Sequence, residues 1–177
     1  SLSEFELVLN KLRLVLGESE STKQLLCIFE NAYLKHKNLA EATRYLVNEL
    51  FGKYGLVILD GDDKMLKKQF IPIIKKDILH QGFIKNIRCC SEQLAEGYKV
   101  QAFVREINFF NLTEGKRELI KGGITKKEIE ESPERFSPNV LLRPLYQETI
   151  LPNIAIVGGG AEVAYWMQLK TAFEQEG

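Results

Sequence analysis

The sequence holds no apolar run near the roughly 20 residues that span a bilayer, which excludes a transmembrane helix. It also lacks an excess of either charge, since 24 Lys and Arg stand against 24 Asp and Glu. That balance removes the general attraction that draws basic proteins to nucleic acid or anionic membranes, so neither is expected as a partner. Glu4 and Glu6 interrupt the apolar start, which therefore does not read as a signal peptide. Cysteine is scarce. Cys27, Cys89 and Cys90 are too few for a complete disulfide framework and show neither a CxxC spacing nor a histidine at metal-ligand spacing. They are expected to be reduced, mostly buried thiols in the cytoplasm, with no metal site. Histidine is scarcer still, and neither His36 nor His80 lies in a catalytic motif. Repeats and low-complexity tracts are absent. A length of 177 residues, 45% of them hydrophobic and 27% charged, describes about one soluble domain with a sizeable core. The opening Ser-Leu-Ser, with no initiator methionine, suggests a piece of a longer chain.

The hydrophobic period changes along the chain. Phe5, Val8, Leu12 and Val15 form a helical stripe that Gly17 stops. Ser21 with Gln24, and Asn38 with Glu41, have capping-box spacing and predict two helices joined as a hairpin. Residues 55–59 (Gly-Leu-Val-Ile-Leu) are then continuously apolar, as is a strand buried on both faces in a parallel sheet. Residues 64–81 return to a helical pattern, broken or restarted at Pro72. Residues 107–112 and 117–120 face each other across Thr113-Glu-Gly-Lys116, a hairpin signature. Thr125 with Glu128 caps a short helix, and Pro133 suits a further helical turn. Clustered prolines predict extended backbone around 139–143, before a second buried strand at 153–157, Gly158-Gly-Gly160 and a helix. Alternating strands and helices predict an α/β, Rossmann-like parallel sheet flanked by helices, with a small antiparallel hairpin inserted. The expected division is a helical segment at 1–53, a core of 54–97 and 122–177, and the hairpin at 98–121.

Three places invite chemistry. A strand running through three glycines into a helix lets a ligand approach bare backbone beside free N–H groups. Val163 stands where the dinucleotide fingerprint needs its third glycine, and no Walker motif occurs. Glu162, in the first helical turn, suits the helix dipole and would repel a pyrophosphate while welcoming an amino group or sugar hydroxyl. The plain alternative is a tight turn with a dipole-compensating glutamate. Arg143, beside Asn139, Gln147 and Glu148, suits a carboxylate or phosphate, or else an internal salt bridge. Asp60, Asp62 and Asp63 end the first apolar run, where Asp60 suits a ribose hydroxyl or a solvated turn. Lys67-Lys68, Lys75-Lys76 and Lys126-Lys127 read as solvated helix faces.

Several blocks together resemble the cysteine ligases of bacillithiol biosynthesis, the BshC family. They are Ser137-Pro-Asn-Val-Leu-Leu-Arg-Pro-Leu-Tyr-Gln-Glu148, Leu151-Pro-Asn-Ile-Ala-Ile-Val-Gly-Gly-Gly-Ala-Glu-Val-Ala-Tyr-Trp166 and Gln168-Leu-Lys170. Leu50-Phe-Gly-Lys-Tyr-Gly-Leu-Val-Ile-Leu-Asp60 and Leu66-Lys-Lys-Gln-Phe-Ile-Pro-Ile73 add support. The resemblance implies an enzyme that joins the cysteine carboxyl to the amine of glucosaminyl-malate, with ATP or another nucleotide activating the carboxyl. It implies a longer, homodimeric protein whose first Rossmann half and coiled coil are absent here, leaving this part inactive alone. Within it, Arg143 and Asn139 would hold a carboxylate, and Gly158, Gly159 and Gly160 would admit substrate to the backbone. Glu162 would orient an amine, Gln147 and Tyr165 would complete the substrate site, and Asp60 would serve the cofactor. Two alternatives stay open, a class I synthetase-like adenylating enzyme and a non-catalytic α/β ligand-binding or interaction module.

Overall fold

The computed structural model describes residues 2–113 and 115–177; Glu114, in the expected hairpin turn, lies outside them. Gly17 adopts φ +70° and closes helix α1 (Leu2–Leu16), its N–H donating to Arg13 O. That left-handed conformation strains any residue with a Cβ, which is why a glycine ends the helix. Helix α2 (Glu20–Lys35) is capped by Ser19, whose Oγ accepts from Thr22 N at 3.0 Å, and not by the expected Ser21. Helix α3 (Leu39–Phe51) follows the expected rule: Asn38 Oδ1 accepts from Glu41 N. These helices make up the first of two units, residues 1–60, with Leu9, Leu26, Ala32 and Ala42 buried. Of the expected α1 stripe Phe5 and Leu12 are half-buried beside the buried Leu9, while Val8 and Val15 are exposed.

The second unit, residues 61–177, opens with α4 (Lys64–Gln69), capped by Asp63 Oδ1 on Met65 N and Leu66 N. The chain restarts in α5 (Ile71–His80) with Pro72 in its first turn, where a missing N–H costs nothing. Helix α6 (Ile84–Ala95) precedes a three-stranded antiparallel sheet in the order β2-β1-β3. β1 (Phe109–Thr113) sets Phe110 opposite both Leu119 of β2 (Lys116–Leu119) and Ser137 of β3 (Phe136–Pro138). Between the last two strands lies α7 (Lys126–Glu131), where Thr125 and Glu128 complete a reciprocal capping box. Three helices end the chain: α8 (Arg143–Ile150), α9 (Gly160–Trp166) and α10 (Lys170–Glu176). The core is aromatic and aliphatic, with Phe70, Phe83, Phe109, Phe136, Ile74, Leu141 and Leu142 fully buried. Phe70 centres it, its ring 4.8 Å from Tyr146 and 5.9 Å from Phe109.

The expected hairpin forms, but the expected parallel strands do not. Residues 55–59 and 153–157 carry no strand, and Ile154 and Val157 are fully exposed. A strand apolar on both faces needs a paired neighbour on each edge and a covering layer, and neither segment has a strand partner among the described residues. Residues 139–143 are not extended either. Asn139 Oδ1 accepts from Leu141 N and Leu142 N, turning the chain into α8, which buries both leucines. Of the thiols only Cys90 is buried, while Cys27 and Cys89 are exposed. Among the described residues no helix is long and apolar enough to cross a membrane.

Candidate functional site

The irregular segment 153–157, the glycine turn and α9 border a hollow of about 480 Å³ in the second unit. Ile154, Ile156, Val163 and Phe173 supply apolar walls, and Glu148, Asn153 and Glu162 the polar ones. Glu148 is committed to shape: its carboxylate accepts from the backbone N–H of Asn153 at 3.0 Å and the side-chain amide at 2.9 Å. Among the described residues Glu162 keeps one weak tether, the Tyr165 hydroxyl donating to Oε1 at 3.4 Å. Trp166 lines the same hollow with its indole N–H buried and no acceptor found among the described residues. A carboxylate on an apolar wall suits a ligand with an apolar body and a cationic or hydroxylated head.

The structure brings Gly158 and Glu162 of the expected site together at this hollow. Gly158 is packed closely, since a Cβ there would sit 3.3 Å from Val163 Cγ2 and 3.4 Å from Glu162 Cγ. Gly159 caps α9 and Gly160 begins it, both with open space around them. Tyr165 is half-buried behind Glu162. Arg143 lies outside the lining; it is exposed at the start of α8 and has no ion pair among the described residues. Gln147 is half-buried one turn on, also outside the lining. Asn139 is placed differently from the expectation. It is buried, Oδ1 is taken by the α8 turn, and Nδ2 donates to Asn108 Oδ1 at 2.8 Å, so its polar atoms serve the fold. Asp60 is half-buried at the end of the first unit. Among the described residues no three His, Cys, Asp or Glu side chains gather as a metal site.

Two charged side chains stand out that the residue pattern does not flag. Lys67, expected on a solvated face, is 1% exposed. Its ammonium donates to Phe136 O at 2.6 Å, meets Asp62 Oδ1 at 3.4 Å and lies 5.0 Å from the Tyr146 ring centre. Burial holds its pKa below the ordinary lysine value, against the opposing pull of Asp62. Asp77 on α5 is fully buried and accepts from the backbone and side-chain N–H groups of Asn108. Burial pushes its pKa up to about 6 despite those bonds. A lysine among lysines and an aspartate in an amphipathic helix carry no local signal of burial; only the fold selects them.

The fold and hollow define a class: an α/β chain whose glycine turn and acidic helix start border a ligand-sized depression. The chain belongs to the family of the N-terminal Rossmann-like domain of the bacillithiol biosynthesis protein BshC, whose model matches residues 1–177. A protein of Flavobacterium psychrophilum, named "Putative cysteine ligase BshC", is 47% identical over 90% of this chain and 33% of its own length. The Christiangramia forsetii protein of that name is 43% identical over 91% of the chain and 33% of its length. Its Bacillus mycoides namesake is 29% identical over 90% and 34%. The chain thus spans about a third of the length of the curated relatives it matches.

Proposed function

We propose that this chain is part of a ligase that joins the carboxyl of cysteine to the amine of glucosaminyl-malate in bacillithiol biosynthesis. The observation that carries the reading is the match of all 177 residues to one domain of that family, with relatives named as cysteine ligases. Forming the amide makes a C–N bond, expels the group that activates the carboxyl and releases a proton from the amine. Glu162, on the wall of the hollow and held among the described residues only by Tyr165, is the group suited to orient that amine and take its proton. Gly158 supports the role because its missing Cβ leaves Glu162 and Val163 their present positions. Arg143, exposed and without an ion pair among the described residues, is available for a malate or cysteine carboxylate. Gln147, Gly159, Gly160 and Tyr165 complete the substrate site.

In the longer protein, segments 55–59 and 153–157 are strands of a parallel sheet, which their two-sided apolar sequence and present exposure support. ATP or a related nucleotide activates the carboxyl, Asp60 contributes to its site, and the assembly is a cytoplasmic homodimer. The 177 residues alone are expected to show little or no ligation. The test is cysteine-dependent consumption of glucosaminyl-malate with ATP by the full-length protein and its Glu162→Ala and Arg143→Ala variants. Each substitution is expected to lower the rate at least tenfold with the thermal melt unchanged. Full activity in both variants defeats the site assignment.

A further inference from the structure

Most lysines of the second unit find carboxylates: Lys64 pairs with Glu134, Lys75 with Glu130, Lys76 with Glu176 and Lys170 with Glu174. Several other cations of this unit make no such pair among the described residues. Arg88 on α6, Arg105 in the loop before β1 and Lys121 just after β2 make no ion pair among the described residues. Yet all three line one cleft of about 480 Å³. Among the described residues Glu106 is the one carboxylate in that lining, so positive charge gathers here in a chain whose total is zero. Ile107 and Ile120, both buried, belong to the apolar part of the lining, and Phe103, 81% exposed, stands 6.0 Å from the Arg105 guanidinium.

The loop bearing Arg105 has no regular secondary structure, but it is fixed at both ends by buried polar side chains. At one end the fully buried Gln168 accepts from Ala102 N and donates to Ala102 O, each at 3.0 Å, and also to Ser91 Oγ at 2.8 Å. At the other, Asn108 is held by Asp77 and donates through Nδ2 to Arg105 O itself. Holding an irregular loop in place this way removes much of the ordering entropy that a mobile loop loses on binding. Unpaired guanidinium groups repel one another unless an anion lies between them, and their planar forks match the oxygens of phosphate and carboxylate.

We propose that the cleft between α6 and the 102–108 loop binds a small molecule carrying a multiply charged oxyanion, phosphate or polycarboxylate. It is separate from the Glu162 hollow, and the inference does not rest on the ligase reading. The test is calorimetric titration of tripolyphosphate, and separately tricarballylate, into the intact protein at about 0.15 M salt, where surface charges are screened beyond roughly 8 Å. Saturable one-site binding of at least one probe is expected, and the probe that binds identifies the phosphate or carboxylate source. Arg88→Gln with Arg105→Gln should weaken it at least tenfold, and Lys121→Gln alone at least threefold. Lys64→Gln with Lys170→Gln, the same loss of charge from paired lysines, should leave it within twofold. No saturable binding of either probe, binding that survives the arginine substitutions, or equal weakening in both double variants would overturn the proposal.

Discussion

At the scale of single residues, burial decides what a polar side chain does. Asp77, Asn108 and Asn139 form a continuous buried chain of hydrogen bonds from α5 to the start of α8. Asp77 keeps a proton to a higher pH when folded, with a pKa of about 6 against 3.8. Between those values the native state holds a proton that the unfolded state has released, so this group's contribution to stability falls as pH rises and is level above them. A gap of that size is worth roughly 3 kcal/mol. Urea denaturation of the wild type and Asp77→Asn should therefore show the wild type losing about that much, relative to the variant, between about pH 4 and 6.5. A difference independent of pH would contradict the assignment. Asn139→Ala leaves the Leu141 and Leu142 amides and Asn108 Oδ1 without their partner and should cost about 2–3 kcal/mol in the same measurement. From sequence, Asn139 looks like a ligand because its donor and acceptor serve either purpose. Lys67 looks solvated for the same reason, since nothing in a run of lysines says which one the core will enclose.

At the scale of elements, what is local is legible. The Thr125–Glu128 and Asn38–Glu41 caps follow from residues three apart, and Pro72 and Pro133 fall in first turns as their chemistry requires. The β1–β2 hairpin is legible because its partner strand is a few residues away. Thr125→Ala should cost about 1 kcal/mol by thermal melting, the usual worth of such a cap. What is not local fails to show. The apolar run at 139–143 has the composition of a strand, but Asn139 and Pro144 turn it into a helix start whose leucines fill the core. Segments 55–59 and 153–157 likewise have strand composition, yet a strand exists only where a neighbour pairs with it.

For the whole molecule, the α/β class and the family were legible in the glycine turn and the proline-bounded blocks, while the arrangement of the strands was not. The exposed apolar residues at 153–157 border the hollow that holds Glu162, so the conformation of that segment bears on both the fold and the site. Ile154 and Val157 expose a continuous apolar edge of the kind that soluble proteins rarely leave uncovered. The proposed parallel sheet therefore requires that the longer protein cover this segment as a paired strand. Amide hydrogen exchange at residues 154–157, compared between the 177-residue chain and the full-length protein, measures this directly. Exchange near the unprotected rate is expected in the short chain, and at least a hundredfold slowing in the long one. Equally fast exchange in both would mean that no sheet forms there, contradicting the proposed parallel strand at 153–157.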